Sequence, residues 1–186
     1  MKTPQSLRLK RPRRVQILSA GVFLLAGVVY FGTLHAMDGR AEAYFRQLRQ
    51  SDPALYLTQV REAQGFDTFL TEYRILNNYE DFHQAPPNFL VGRWTLRPEP
   101  IRLSPGTAPS ECSDPVTLDY GLFLQLETGG VALPVSYRIE GKIVEMRIAP
   151  DSVVPIELVS YGAQLDHIAF TAPGRDAVSY GYLCGR

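Results

Sequence analysis

Two cysteines are the residues of this chain whose chemistry is most easily specified. Cys112 and Cys184 are its only cysteines. Outside the cytosol, an even number of cysteines in a small domain predicts a disulfide bond. A bond between these cysteines closes a loop of about 73 residues. For a loop of this length the chain-entropy model gives a stabilisation of about 4 kcal/mol. Two free thiols or a metal pair are the alternatives, but no metal-site spacing of histidines or acids accompanies either cysteine.

Histidine, the side chain most often used in catalysis and metal binding, is scarce in this chain. The three histidines are His35, His83 and His167. Asp166 and His167 are adjacent, as in half of a catalytic relay, but Ile168 and Phe170 mark the apolar face of the same strand. Because side chains alternate between the faces of a strand, His167 is predicted to point to solvent. No phosphate-binding or nucleophile motif is present either, so we predict no enzyme, no cofactor and no metal.

A short glycine–tryptophan motif opens the first predicted strand. Gly92-Arg93-Trp94 follows Pro87-Asn88-Phe89 and resembles the G-x-W motif at the start of the first strand in lipocalins. The resemblance implies that Trp94 lies at the closed end of a β-barrel, under a cavity for a lipid or another apolar small molecule. Tyr120 and Tyr137 would line that cavity. The alternative is a tryptophan that only fills the protein core.

The chain must position these residues on the far side of a membrane. Residues 15–37 contain no Lys, Arg, Asp or Glu, and a helix of that length crosses a hydrocarbon core about 30 Å thick. Residues 1–14 carry six basic residues and no acid, which predicts a cytoplasmic tail. The high ratio of Arg to Lys favours a bacterial inner membrane, with the rest of the chain in the periplasm.

A cleaved signal peptide is the alternative interpretation of the apolar segment. The segment is longer than the roughly 7–15 apolar residues of a signal peptide. Leu34-His35-Ala36 is also a poor cleavage site, because Leu34 stands where a small residue is needed. We therefore predict that residues 15–37 stay in the protein as a single transmembrane helix.

Residues 38–85 have apolar side chains at helical spacing and predict a connector of two or three short amphipathic helices. Asp52 and Pro53 suit the start of one helix, and Gly65 suits its end. So many large apolar side chains must be covered, and we predict that part of this surface is left for a protein partner or a second copy of the chain. The residues of this partner face are Tyr44, Phe45, Leu48, Phe66, Phe69 and Tyr73.

Residues 86–186 predict an antiparallel β domain. After Ala85-Pro86-Pro87 the hydrophobic period changes to two residues. Seven or eight alternating segments at roughly ten-residue spacing indicate a small barrel or sandwich. Two long segments run from Val116 to Leu126 and from Val131 to Ile139, with a turn at Gly129-Gly130 between them. The predicted fold class is thus α+β, with one transmembrane helix, a helical connector and an antiparallel all-β domain.

The distribution of charge along the chain limits the classes of ligand that it is expected to bind. Six of the 19 basic residues lie in the tail, which leaves 13 against 19 acids in the rest, so nucleic acid is not an expected ligand. The order of elements is similar to that of periplasmic assembly components of secretion systems, in architecture only. We predict a single-pass membrane-anchored accessory or assembly subunit of an envelope complex, which binds proteins in the same membrane or in the periplasm. The alternative is the lipocalin-like binding module.

Overall fold

The computed structural model of the protein describes residues 14–104, 107–125 and 130–185. The basic tail that predicts a cytoplasmic N-terminus falls at residues 1–13, outside the described residues, except for Arg14. The chain divides into two compact units, one ending at Ser51 and the other beginning at Asp52. The short helices that follow Asp52 therefore belong to the same unit as the sheet.

The first unit contains one long helix, α1, which spans Arg14–Ser51. It continues without interruption through Asp38 and Gly39. The part from Gly21 to Ser51 is long and apolar enough to cross a membrane. The large apolar side chains between Val22 and Met37 are exposed.

Two short helices open the second unit. They are α2, Pro53–Gln64, and α3, Phe66–Leu76. As predicted, Asp52 caps α2, where its carboxylate accepts a hydrogen bond from the Leu55 N–H at 3.0 Å. Gly65 joins the helices with a φ of +87°, and the next residue, Phe66, donates its N–H to the Gly162 carbonyl at 2.8 Å. The sequence predicted that α3 runs to about His83, which is wrong, because the residues after Asn77 pair with the sheet.

The described part of the second unit contains one antiparallel sheet of nine strands. The strands are β1 Gly92–Arg97, β2 Pro115–Asp119, β3 Leu122–Gln125, β4 Val131–Pro134, β5 Ser136–Glu140, β6 Ile143–Ala149, β7 Ser152–Tyr161, β8 Gln164–Phe170 and β9 Ser179–Gly185. Their order in the sheet is β4-β3-β2-β1-β9-β8-β7-β6-β5. The predicted α+β fold class is confirmed, and the sheet is a nearly closed barrel and not a sandwich.

The strand count exceeds the predicted seven or eight because two alternating segments are each divided. Tyr120 and Gly121 adopt positive φ values of 43° and 72° and turn the chain between β2 and β3. The segment predicted from Val131 to Ile139 is interrupted at Val135, so that β4 and β5 lie at opposite edges of the sheet. Leu126 and Gly129, which the sequence placed in a strand and a turn, are outside the described residues.

Residues 79–84 cover the free edge of β5. His83 and Tyr137 exchange two backbone hydrogen bonds of 2.8 and 2.7 Å, and Ile139 donates its N–H to the Tyr79 carbonyl at 2.9 Å. The same segment passes close to Gly121, where a Cβ atom would stand 2.9 Å from the Gln84 carbonyl oxygen. The segment therefore pairs with part of the β5 edge, which is not left fully open for another strand.

Apolar side chains fill the barrel. Among the largest side chains that are fully buried are Trp94, Leu118, Phe123, Tyr137, Met146, Ile156 and Ile168. An aromatic cluster lies beside them, in which the ring of Phe89 is within 5.4–6.0 Å of those of Phe66, Phe69 and Tyr73. This packing accounts for the apolar surface of α3.

Candidate binding cleft

A long segment covers the outer face of the sheet where β1, β9 and β8 meet. We call residues 98–114 the strap; residues 105 and 106 are outside the description. Three contacts attach it to the strands beneath. Ile101 bonds to the Tyr182 hydroxyl, the Thr95 hydroxyl donates to the Ser113 carbonyl at 2.8 Å, and Cys112 is joined to Cys184. Thr95 and Tyr182 are opposite each other in the β1–β9 register, so the strap crosses a continuous patch of sheet.

The predicted disulfide is confirmed. Cys112 and Cys184 are bonded, with their Cα atoms 5.8 Å apart and a sequence separation of 72. Tyr182 and Cys184 share a face of β9 that lies under the strap, while Gly181 faces the barrel interior against Ile168. The bond therefore fastens the last strand from outside the barrel, and the outer face of β9 has a second, smaller core of its own.

The strap brings Asp166 and His167 out of water. Nδ1 of His167 lies 2.7 Å from a carboxylate oxygen of Asp166, and the two side chains are only 10% and 11% exposed. The imidazole ring packs against the rings of Tyr182 and Tyr180, at 5.3 and 5.9 Å between centroids. The sequence placed His167 on the outward face, which is correct, but predicted a solvent-facing side chain, which is wrong because the strap covers that face.

A cleft of about 420 Å³ opens between the strap and the β7–β8 turn. Its lining residues are Pro100, Ile101, Arg102, Leu103, Tyr161, Asp166 and His167. Three of the strap residues supply an apolar wall, and the polar groups come from Arg102, Tyr161 and the Asp166–His167 pair. The volume lies within the range of about 300–1,000 Å³ that is typical of small-molecule sites.

Hydrogen bonds to other parts of the second unit fix both walls of the cleft. The Tyr182 hydroxyl accepts a hydrogen bond from the Ile101 N–H at 2.7 Å and donates one to the Ile101 carbonyl at 3.0 Å. Burial raises the pKa of the Tyr182 phenol, so this side chain stays neutral and keeps its proton for that second bond. On the other side, the carbonyls of Gly162 and Ala163 accept from Phe66 and Arg61. The short helices thereby fix the β7–β8 turn.

The Asp166–His167 pair has a defined hydrogen-bonding pattern. A carboxylate accepts hydrogen bonds, so Nδ1 of His167 is assigned as the donor in its hydrogen bond to Asp166. Its other ring nitrogen, Nε2, makes no hydrogen bond to any described residue. No serine, threonine or cysteine lines the cleft as a nucleophile, and the described residues contain no group of three potential metal ligands. The pair offers a fixed hydrogen-bonding nitrogen to a ligand.

The lipocalin-like cavity residues do not converge. Trp94 and Tyr137 lie inside the barrel, and Nε1 of Trp94 donates to the Leu90 carbonyl at 2.9 Å. Tyr120 is 89% exposed on the turn between β2 and β3, so its assignment to an internal cavity is wrong. That turn needs residues at positive φ, which directs the Tyr120 side chain away from the barrel.

Tyr137 has an unusual environment inside the barrel. Its hydroxyl is buried and has no hydrogen-bond partner among the described residues. Burial, together with the nearby Tyr79 and Asp119, raises the pKa of this phenol well above its ordinary value. The side chain is therefore a neutral filler of the core at any ordinary pH.

Half of the predicted partner face is not available to a partner. Phe66, Phe69 and Tyr73 are 1%, 7% and 5% exposed, and they pack on Phe89 within the second unit. Their assignment to a partner face is corrected, because the segment after α3 covers them. The other three residues, Tyr44, Phe45 and Leu48, lie on α1, where Tyr44 is 48% exposed but Leu48 only 8%.

Comparison with known proteins gives no family for this chain. No protein-family model, no curated protein and no solved structure matches it. The function must therefore be argued from the residues and their geometry.

Proposed function

We propose that this protein is a single-pass, membrane-anchored accessory or assembly subunit of an envelope protein complex. Its N-terminus lies in the cytoplasm, and its second unit lies on the periplasmic side of a bacterial inner membrane. The protein acts by binding another protein and not by catalysis.

The observation that carries the proposal is the apolar surface of α1. Phe23, Leu24 and Phe31 are 78%, 71% and 70% exposed. Removing each such side chain from water is worth about 1.5–3 kcal/mol, and a lipid bilayer removes all of them at once. The basic residues before the helix favour a cytoplasmic tail, and the disulfide favours an oxidising compartment for the second unit.

Binding on the outside of the second unit is better supported than binding inside the barrel. Large side chains occupy the barrel interior, whereas the cleft between the strap and the β7–β8 turn is open to solvent. The acidic charge of the chain beyond the tail disfavours nucleic acid as the partner. We therefore propose another protein, in the same membrane or in the periplasm, as the macromolecular partner.

Membrane retention tests the anchor. Membranes washed with alkaline carbonate should keep the full-length protein in the pellet, because a spanning helix is not released with peripheral proteins. A matched variant without residues 1–37 should appear in the supernatant. Recovery of a soluble native form that begins near Met37 would instead establish a cleaved signal peptide.

Photocrosslinking in native membranes tests the binding role. A photoreactive residue is placed at Tyr161 or Arg102 in the cleft, and in separate variants at the exposed Tyr120 and Tyr44. We expect a discrete adduct with one protein, or with a second copy of the chain, from at least one position. If none of the four positions gives a protein adduct, the proposed function is wrong.

A further inference from the structure

The cleft has a polar inventory that selects among ligands. The guanidinium of Arg102 can only donate hydrogen bonds, and Nε2 is the ring nitrogen of His167 that is left for a ligand, since Nδ1 faces Asp166. The Tyr161 hydroxyl does both. A ligand that satisfies this set must present at least one donor and one acceptor.

The formal charge of the cleft is balanced. The cleft places the cationic guanidinium of Arg102 and the carboxylate of Asp166, which are of opposite charge, in the same lining. A charged ligand would therefore gain little net Coulomb energy here and would have to give up its hydration. An uncharged polar ligand meets no such cost.

The third property of the cleft is its apolar wall. Pro100, Ile101 and Leu103 supply it, and the two hydrogen bonds between Ile101 and Tyr182 hold its backbone in place. A wall that is already fixed loses little conformational entropy on binding. It suits an apolar side chain next to the polar groups.

We infer that the cleft binds an extended, uncharged peptide segment with an apolar side chain, supplied by the protein partner. Each peptide unit carries one N–H donor and one carbonyl acceptor. The N–H meets Nε2 of His167, a carbonyl meets Arg102, and the apolar side chain lies on the wall formed by Ile101 and Leu103. Asp166 is a positioning residue, since it holds the proton on Nδ1. This inference rests on the proposed function, because it names the part of the partner that the cleft takes.

The experiment uses the full-length protein in lipid nanodiscs and a display library of random heptapeptides. We expect enrichment of peptides with an uncharged, apolar centre. Arg102→Gln and His167→Gln should each weaken the binding of a selected peptide by about tenfold, the equivalent of one hydrogen bond. The matched controls Arg93→Gln and His83→Gln should leave it unchanged, because neither residue lines the cleft.

A spectroscopic readout keeps the test valid if His167→Gln lowers stability. The chain has three histidines, so a protein labelled with ¹³C only at the histidine Cε1 gives three ring signals, one for each residue. Adding the selected peptide should shift the signal of His167 and leave those of His35 and His83 in place. Maltose and hexanoate serve as comparison ligands, one a sugar and the other a short fatty acid. The inference is overturned if no peptide is enriched, if the His167 signal does not move, or if only maltose or hexanoate moves it.

The crosslinking arms separate the two proposals. Partner adducts from Tyr120 or Tyr44 but none from Tyr161 and Arg102 would overturn the peptide-binding cleft and leave the accessory-subunit role standing. Adducts from the cleft positions that a selected peptide displaces would support both. The absence of adducts from every position would overturn the proposed function itself.

Discussion

The hydroxyl of Tyr182 makes two hydrogen bonds to one residue, accepting from the Ile101 N–H and donating to the Ile101 carbonyl. Tyr182 is fully buried in β9, while Ile101 lies in a strap without regular secondary structure. One side chain of the sheet thus provides the pairing that a neighbouring strand would otherwise give to this stretch of backbone. The relationship fixes the strap and, with it, the apolar wall of the cleft.

Replacing Tyr182 with Phe should therefore loosen the strap. Two backbone groups of Ile101 lose their partner, and we expect the free energy of unfolding to fall by about 1–3 kcal/mol. Hydrogen exchange at the Ile101 amide should become much faster. The matched control is Tyr180→Phe, whose ring contacts His167 from the same strand and whose loss of a hydroxyl should change stability by less than about 0.5 kcal/mol. Equal effects from both variants would contradict the assignment.

Removing the disulfide should have a larger effect. The double variant Cys112→Ala, Cys184→Ala frees a long loop in the unfolded chain, and we expect a loss of about 2–4 kcal/mol. The midpoint of denaturant unfolding measures it, with the wild-type protein in reductant as a second comparison. A midpoint that neither the variant nor the reductant changes would show that the bond does not stabilise the fold.

Replacing Tyr137 with Phe should leave the free energy of unfolding unchanged at neutral pH and should alter how it depends on pH in alkaline solution. The buried hydroxyl has no partner among the described residues, so its removal leaves no new unsatisfied group. Because burial raises the pKa of Tyr137 above the unfolded value of about 10, the unfolded chain loses this proton first as pH rises. The contribution of Tyr137 to stability should thus be constant below pH about 10 and fall above it.

The alkaline fall should be shallower in Tyr137→Phe, as measured by denaturant unfolding at pH 7 to 11. Tyr182→Phe is the comparison, since it removes a tyrosine whose hydroxyl is satisfied and should lose stability already at pH 7. A loss of more than about 1 kcal/mol at pH 7 from Tyr137→Phe would indicate that its hydroxyl is satisfied after all.

Gly181 should not tolerate a side chain. A Cβ atom there would lie 2.8 Å from Cγ1 and 3.2 Å from Cδ1 of Ile168, so Gly181→Ala should cost about 1–3 kcal/mol through overpacking. In an Ile168→Ala background those two atoms are gone, and the cost of Gly181→Ala should largely disappear. A double-mutant cycle measures this coupling, and additive effects would contradict the contact.

Periodicity and composition were sufficient for the fold class, the helix capped by Asp52 and the pairing of the cysteines. They failed where tertiary context decides. The alternation from Val116 to Leu126 carries no sign that Tyr120 and Gly121 take positive φ, so the sequence predicted one strand where two exist. The apolar spacing of α3 was correct, but spacing alone does not say whether Phe89 or a partner covers Phe69.

The cleft was missed for a similar reason. Strand alternation correctly placed His167 outside the barrel, yet an outward residue is exposed only if nothing crosses it. The signal was present in the proline-rich stretch that ends at Cys112, because a disulfide to Cys184 must draw that stretch across β9. Combining the predicted disulfide with the predicted strand would have buried this face.

The central position of β1 has a kinetic consequence. Trp94 in β1 is opposite Leu183 in β9, so the middle of the sheet joins segments that are far apart in the chain. Pairings of this kind form slowly, since a long loop must close before they contribute. The strands β1 to β4 and β5 to β8 are neighbours in sequence and in the sheet, but the two groups are joined only when β9 lies between β1 and β8. The sheet order therefore makes completion of the barrel depend on the last strand of the chain.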